Sequence, residues 1–229
     1  MVARRDPRQR LDDYKKALQI CWLSNQLPID LVFCENSNFD LADIRNLCAR
    51  RTIPGCQIET MSFDGQQYPP HLGKGFGEIG IISHALRHSE FLRDGNPLIV
   101  KVSGRLAISN IRKLLRMVQA RPDFDISCDL RGNLQWADSR IFIARADFLR
   151  AYLVPMQALA DDSRGITFEH VLGRATHRAI GDGLRWAPIV CTPDIQGISG
   201  TSGIQYPNSW TSWLTRDAFR RLKNWAIAR

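Results

Sequence analysis

Short apolar runs rich in branched residues, each stopping abruptly at a polar cluster, alternate along this chain with longer segments of helical period. Ile29 to Cys34 stops at Glu35-Asn36-Ser37, and Pro97-Leu98-Ile99-Val100 runs into Lys101-Val102-Ser103-Gly104-Arg105. A run of that length without polar alternation suits a strand buried on both faces, and its polar end is where such a strand delivers functional groups. The short alternation of CQIETMSF predicts a further strand, and DFDISCDL and NLQWADSRIFIA continue the pattern. Between them lie helical periods. Leu11, Tyr14, Leu18 and Trp22 predict an amphipathic helix ending near Asn25, and others are expected from about Leu41 to Arg51, over EIGIISHALRHSEFL, over SNIRKLLRMVQ with Ser109 as N-cap, and around DFLRAYL and FEHVLGRATHRA. QQYPPHLGKGFG, with its Pro and Gly, reads as a loop.

Strands interleaved with helices in this way predict an α/β fold, a mostly parallel central sheet flanked by helices. No repeat or low-complexity linker interrupts it, so one domain is expected over residues 1–209, followed by a basic amphipathic helix over 210–229. The composition agrees: 229 residues, 44% hydrophobic and 24% charged, are ordinary for a globular chain able to bury one core. The six cysteines are scattered without a CxxC pair, which favours buried free thiols in a reducing compartment over a disulfide framework. MVARRDPRQR lacks the apolar run of a signal peptide and no segment is long and apolar enough to cross a bilayer, so the cytoplasm is the expected location.

A formal charge of +8 implies an anionic partner, whether nucleotide, nucleic acid or acidic membrane surface. Charge does not choose among them. The basic residues are dispersed, however, and no zinc-finger spacing, RNP-like strand or helix-turn-helix signature is present, so nucleic acid is not the expected partner. A nucleic-acid-binding module remains the alternative from another class, with a catalytically silent scaffold as a third.

Four polar clusters fall at or just beyond the predicted strand ends, where a parallel sheet gathers its active site: Glu35-Asn36-Ser37, Lys74-Gly75-Phe76-Gly77-Glu78, Lys101 to Arg105, and Asp138-Ser139-Arg140. Lys101 and Arg105 flank Ser103-Gly104, and an ammonium, a guanidinium fork and a glycine-side amide suit a diphosphate; the alternative is a solvated strand edge. GKGFG lacks the spacing and ending of a P-loop, so Lys74 and Glu78 read either as helix caps or as contacts to a nucleotide donor. Glu169 sits at the first turn of a predicted helix, which stabilises its anion. That suits a general base, and equally an ordinary acidic residue at a helix start.

Metal chemistry is not expected. No Asp-x-Asp follows an apolar strand, where Mg²⁺ or Mn²⁺ on a nucleotide diphosphate would want hard oxygens, and Asp123-Phe124-Asp125 precedes its strand. His84 and His88 share a helix face without an HExxH glutamate between them. Ser199 in GISGTSG lacks the closely flanking strand and helix of a nucleophile elbow.

Taken in order, these motifs resemble those of GT-A-type glycosyltransferases, in particular the small bacterial enzymes that build surface polysaccharides such as O-antigen, capsule or lipooligosaccharide. Such enzymes carry a DYxxAL…W helix, an ENS strand end, a KGxGE helix start, a K-[IV]-[ST]-G-R strand, a DSR strand and an FEH helix. Here these are Asp13-Tyr14 with Ala17-Leu18, Glu35 to Ser37, Lys74 to Glu78, Lys101 to Arg105, Asp138 to Arg140, and Phe168-Glu169-His170. The likeness spans about Asp6 to Tyr206 and implies a Rossmann-like GT-A sheet and a nucleotide-sugar donor.

The donor would be held by Glu35, Asn36, Ser37, Lys74, Gly75, Gly77, Glu78, Ser103, Gly104, Asp138, Ser139 and Arg140. Lys101 and Arg105 stand where the wider group has its metal-binding Asp-x-Asp, which implies that cations neutralise the leaving group directly and that no metal or cofactor is required. Glu169, with Arg174 after it, resembles the acidic helix start that carries the base of inverting enzymes. The resemblance thus implies inversion, with His170 and Arg174 facing a glycan or lipid-linked acceptor. His170 departs from the pattern, because a second acidic residue is usual there. The tail, with Trp210, Trp213 and Trp225 beside Arg216, Arg220 and Arg221, reads either as a helix lying on an anionic membrane or as one packed on protein.

Overall fold

The computed structural model describes residues 6–23, 27–50, 55–120, 123–189, 191–198, 205–206, 215 and 217–218. Ser199 and the tail residues named above lie outside them, as do Asn25 and Arg51, the expected ends of two helices. In chain order the elements are α1 (Pro7–Leu18), β1 (Leu31–Glu35), α2 (Ala42–Ala49), β2 (Ile58–Ser62), α3 (Gly73–His88), β3 (Leu98–Val102), β4 (Ala107–Ile108), α4 (Ile111–Ala120), β5 (Ile126–Ser127), β6 (Leu130–Arg131), β7 (Trp136–Ala137), β8 (Ile141–Arg145), α5 (Ala146–Phe148), α6 (Phe168–Gly181), β9 (Trp186–Ala187) and β10 (Ile195–Gln196). A π-helical turn over Gln19–Leu23 prolongs α1. A π turn over Leu149–Leu153 and a 3-10 stretch over Val154–Leu159 prolong α5.

The protein is mixed α/β and divides into two compact units. The first comprises Pro28–Lys101 and Phe124–Ala187. Within it β1 and β2 pair in parallel, from Leu31 opposite Ile58 to Glu35 opposite Ser62. A four-stranded sheet has the order β3-β8-β5-β9, and β5 runs antiparallel to β8 but parallel to β9. Pairing is therefore mixed where the sequence predicts a mostly parallel sheet. The cause is the connection from β5 to β8: it holds the β6–β7 hairpin instead of a helical crossover, and a hairpin returns the chain antiparallel.

The core of this unit lies against α6. Phe168, Val171, Leu172, Ala175 and Ala179 recur on one helical face and pack with Phe142, Phe148, Leu149 and Leu153, all buried. The start of α6 is well defined. Thr167 is extended at the N-cap, and the Thr167 side chain with that of His170, three residues on, forms a capping box.

The glycine-rich segment expected as a loop is instead the opening of α3. Packing overrides propensity there. A Cβ on Gly75 would lie 2.7 Å from the backbone nitrogen of Phe168, and one on Gly77 would lie 2.4 Å from the Tyr68 hydroxyl. The glycines let α3 come up to the start of α6 and to the Tyr68 loop. Gly75→Ala, which in an exposed helix gains about 1 kcal/mol, is expected here to cost about 1–2 kcal/mol by overpacking, a loss of a few degrees in Tm. A melting temperature at or above that of the wild type would contradict this close approach.

The second unit consists of the described residues within Val2–Leu27, Val102–Asp123 and Pro188–Arg229. Here β4 pairs antiparallel with β10, Ile108 opposite Ile195, and Leu18, Cys21, Ile108, Ile111, Leu114 and Cys191 are buried. Ser109, expected as a cap, gives its hydroxyl to Asp194. Asn110, next to the helix, donates to the Thr192 carbonyl and accepts from the Asp194 amide, each at 2.9 Å. All six cysteines are free thiols, four of them buried.

Candidate functional site

Four segments of the first unit, distant in sequence, meet in one hydrogen-bonded chain. It runs from Glu78 on α3 through Lys101 on β3 and Ser139, just before β8, to Glu169 on α6 and on to Thr167 and His170. The Lys101 ammonium pairs with Glu78 and donates to the Ser139 carbonyl at 2.6 Å. It also lies over the rings of Phe168 and Phe142, 5.0 and 5.6 Å from their centroids. The two charged side chains are only 12% and 27% exposed, so the pairing satisfies groups that would otherwise be stranded away from water.

Ser139 turns its hydroxyl the other way, donating to Glu169 Oε1 at 2.7 Å, while the Thr167 hydroxyl donates to Oε2 at 2.7 Å. Burial alone would push the Glu169 carboxyl up. The two hydroxyls, with the charge of Lys74, outweigh burial and hold it below the usual range. Asp138 follows the same logic. Burial raises it, but the Arg140 fork, bonding at 2.8 and 2.5 Å, and the nearby Arg131 bring it below its ordinary value. In return the buried Asp138 fixes the guanidinium of Arg140.

The site thus offers a half-buried carboxylate kept ionised, with cations beside it. Comparison with family models, curated proteins and solved structures finds no match to this chain.

The remaining residues singled out by sequence take other positions. Glu35 closes the turn after β1, accepting from the amides of Ser37 (2.7 Å) and Phe39 (3.2 Å) and from the hydroxyls of Ser37 and Ser62. Asn36 donates to the Gly65 carbonyl at 3.4 Å and lies against Gly77. Lys74 is exposed in the first turn of α3. The stretch from Lys101 to Arg105 divides. Lys101 ends one segment of the first unit, whereas Ser103, Gly104 and Arg105 belong to the second. There the Ser103 carbonyl accepts from the Leu106 amide at 2.9 Å, Gly104 lies against the Tyr14 ring, and the Arg105 carbonyl lies under Gly197. Arg174 is exposed on α6, and His170 has its Nδ1 toward Thr167.

Sequence reasoning missed Thr167 and Phe142, and named Phe168 only as part of the FEH motif, without its place under Lys101. For Thr167 a signal existed, since a threonine immediately before Phe168-Glu169-His170 is a favoured N-cap. Among the described residues no three His, Cys, Asp or Glu side chains group as metal ligands, and no helix is long and apolar enough to cross a membrane. His84 stacks on Phe63 at 3.9 Å and meets His88 at 4.3 Å, while the Asp125 carboxylate accepts from the Arg185 amide at 2.8 Å.

Proposed function

We propose that this chain is a metal-independent glycosyltransferase of GT-A type. It moves a sugar, with inversion, from a nucleotide-sugar donor to a hydroxyl of a glycan or lipid-linked acceptor in bacterial surface polysaccharide synthesis. The observation that carries it is Glu169: a carboxylate held ionised by two hydroxyls, in a hydrogen-bonded chain that joins it through Ser139 and Lys101 to Glu78 and on the other side to Thr167. Glu169 takes the proton from the acceptor hydroxyl, whose oxygen bonds to the anomeric carbon as the bond from that carbon to the diphosphate oxygen breaks. The pair of electrons leaves with the nucleoside diphosphate.

Lys74 and Arg140 bring positive charge to this part of the first unit, and Arg105 keeps the diphosphate role that the resemblance gives it. Lys101, committed to Glu78 and to the Ser139 carbonyl, orders Ser139 and through it Glu169. A GT-A-like arrangement of the strands, the cytoplasmic location, and contact of 210–229 with an anionic membrane belong to the same proposal.

A panel of nucleoside diphosphates and nucleotide sugars, titrated in EDTA, tests it. At a hundredfold excess over Kd the bound nucleotide is worth about 2.7 kcal/mol, a rise of several degrees in Tm, and Arg105→Ala is expected to abolish the rise. A rise that requires Mn²⁺ and ignores Arg105→Ala refutes metal independence. No rise with any nucleotide refutes the donor class.

A further inference from the structure

We propose that Thr167 and His170 carry away the proton that Glu169 removes from the acceptor, so that the base returns to its ionised form for the next turnover. The proposal rests on Glu169 being the base. The geometry is a continuous path. Thr167 Oγ1 is 2.7 Å from Glu169 Oε2 and 3.1 Å from His170 Nδ1, and the Thr167 backbone N–H donates to the same Nδ1 at 3.3 Å. An Nδ1 that accepts from a backbone amide has its ring proton on Nε2, and its one lone pair takes the Thr167 hydroxyl proton as the long amide hydrogen bond gives way.

The opposite side of the carboxylate offers no such route. Oε1 is bonded to the Ser139 hydroxyl, the Ser139 side chain is buried, and the Ser139 carbonyl is bonded by Lys101. His170, by contrast, is half-buried on the first turn of α6. A capping box normally has Glu or Gln at this third position, and imidazole differs from both in having one ring nitrogen that can accept a proton and a second that can release one. Lys74 from α3 acts on the Glu169 carboxyl, and Lys101 from β3, paired with Glu78, lies over the Phe168 ring.

In the transfer the O–H bond of protonated Glu169 breaks as Thr167 Oγ1 takes that proton. Thr167 gives its own hydroxyl proton to Nδ1. Thr167 ends neutral, Glu169 ends as carboxylate, and His170, now imidazolium, gives its Nε2 proton to water; proton exchange of the ring with water then removes the proton from Nδ1 and restores the Nε2–H form for the next turnover. Nothing is oxidised or reduced, and Thr167 acts as a positioning residue between two proton carriers.

Two measurements on the full chain test this. In ¹⁵N spectra of labelled histidine, assigned with His170→Gln, neutral His170 is expected as the Nε2–H tautomer, with an Nδ1 signal that changes in Thr167→Asn, a variant that keeps a side-chain cap without the hydroxyl. A neutral ring protonated on Nδ1 overturns the relay whatever the activity. Release of nucleoside diphosphate, from the nucleotide sugar that stabilises the chain most, gives the second readout. His170→Ala is expected to keep the first turnover and to slow later ones by about 10²-fold, the low end for a proton-transfer group, with added imidazole restoring the rate. Thr167→Ser should turn over normally, and Thr167→Asn should stay slow with imidazole present. Full turnover in His170→Ala, or no rescue, overturns the relay alone; full turnover in Glu169→Gln overturns the base and the relay together.

Discussion

Lys101→Met is expected to lower the melting temperature by about 5–10 °C. Methionine keeps the apolar stem between Phe142 and Phe168 but removes the ammonium, leaving Glu78 without its cation and the Ser139 carbonyl without that donor. Removing one partner of a buried ion pair costs about 3–5 kcal/mol. Glu78 is 27% exposed and water recovers part of that, which brings the cost to about 2–3 kcal/mol, or about 2–4 °C per kcal/mol in a chain of this length. Adding Glu78→Gln should recover part of the loss, because the uncompensated charge is gone and the two positions are coupled. Thermal unfolding followed by circular dichroism decides the matter. A single variant that melts with the wild type, or a double variant less stable than the single one, would remove Lys101–Glu78 from the interior.

Glu169→Gln is expected to reduce transfer by about 10²–10⁴-fold while changing donor affinity less than about twofold. Glutamine has nearly the same shape and still offers Ser139 or Thr167 an oxygen, so the fold around α6 should persist; only the ability to hold the acceptor's proton is lost. Turnover measured together with donor binding separates the two effects. A parallel loss of binding would make Glu169 a donor contact, and unchanged turnover would leave the carboxylate as nothing more than a well-bonded helix start.

What could be read in advance follows a physical pattern. The β1 run, from its apolar centre to Glu35, is recovered with its parallel partner β2, because five consecutive residues suffice to display a strand's character. Strands of two residues, such as β4, β6 and β9, are too short to carry a period, and the antiparallel turn-back through β6–β7 was hidden with them. Gly75 and Gly77 misled for another reason. A glycine says that room is scarce or that the backbone is unusual, and only the neighbour, here Phe168 or Tyr68, decides which.

Lys101 shows the limit most clearly. Its place at a strand end was legible, but its partners Glu78 and Ser139 lie 23 and 38 positions away, and nothing in local spacing distinguishes a cation that awaits a ligand from one already matched. Glu169 was legible because a helix start announces itself locally. The hydroxyls that keep it ionised come from one neighbour in sequence, Thr167, and one that only the fold supplies, Ser139.

The second unit is collected from three stretches, Val2–Leu27, Val102–Asp123 and Pro188–Arg229, and β4 finds β10 only across this gap. During synthesis the first unit has all its strands once Ala187 has left the ribosome, whereas β4 must wait, without its antiparallel partner, for the segment around Ile195. Chaperone dependence and aggregation should therefore concentrate in that interval, and a nascent chain stalled with Ala187 just outside the ribosome should resist protease within Pro28–Lys101 and Phe124–Ala187 while the segment around β4 is cut.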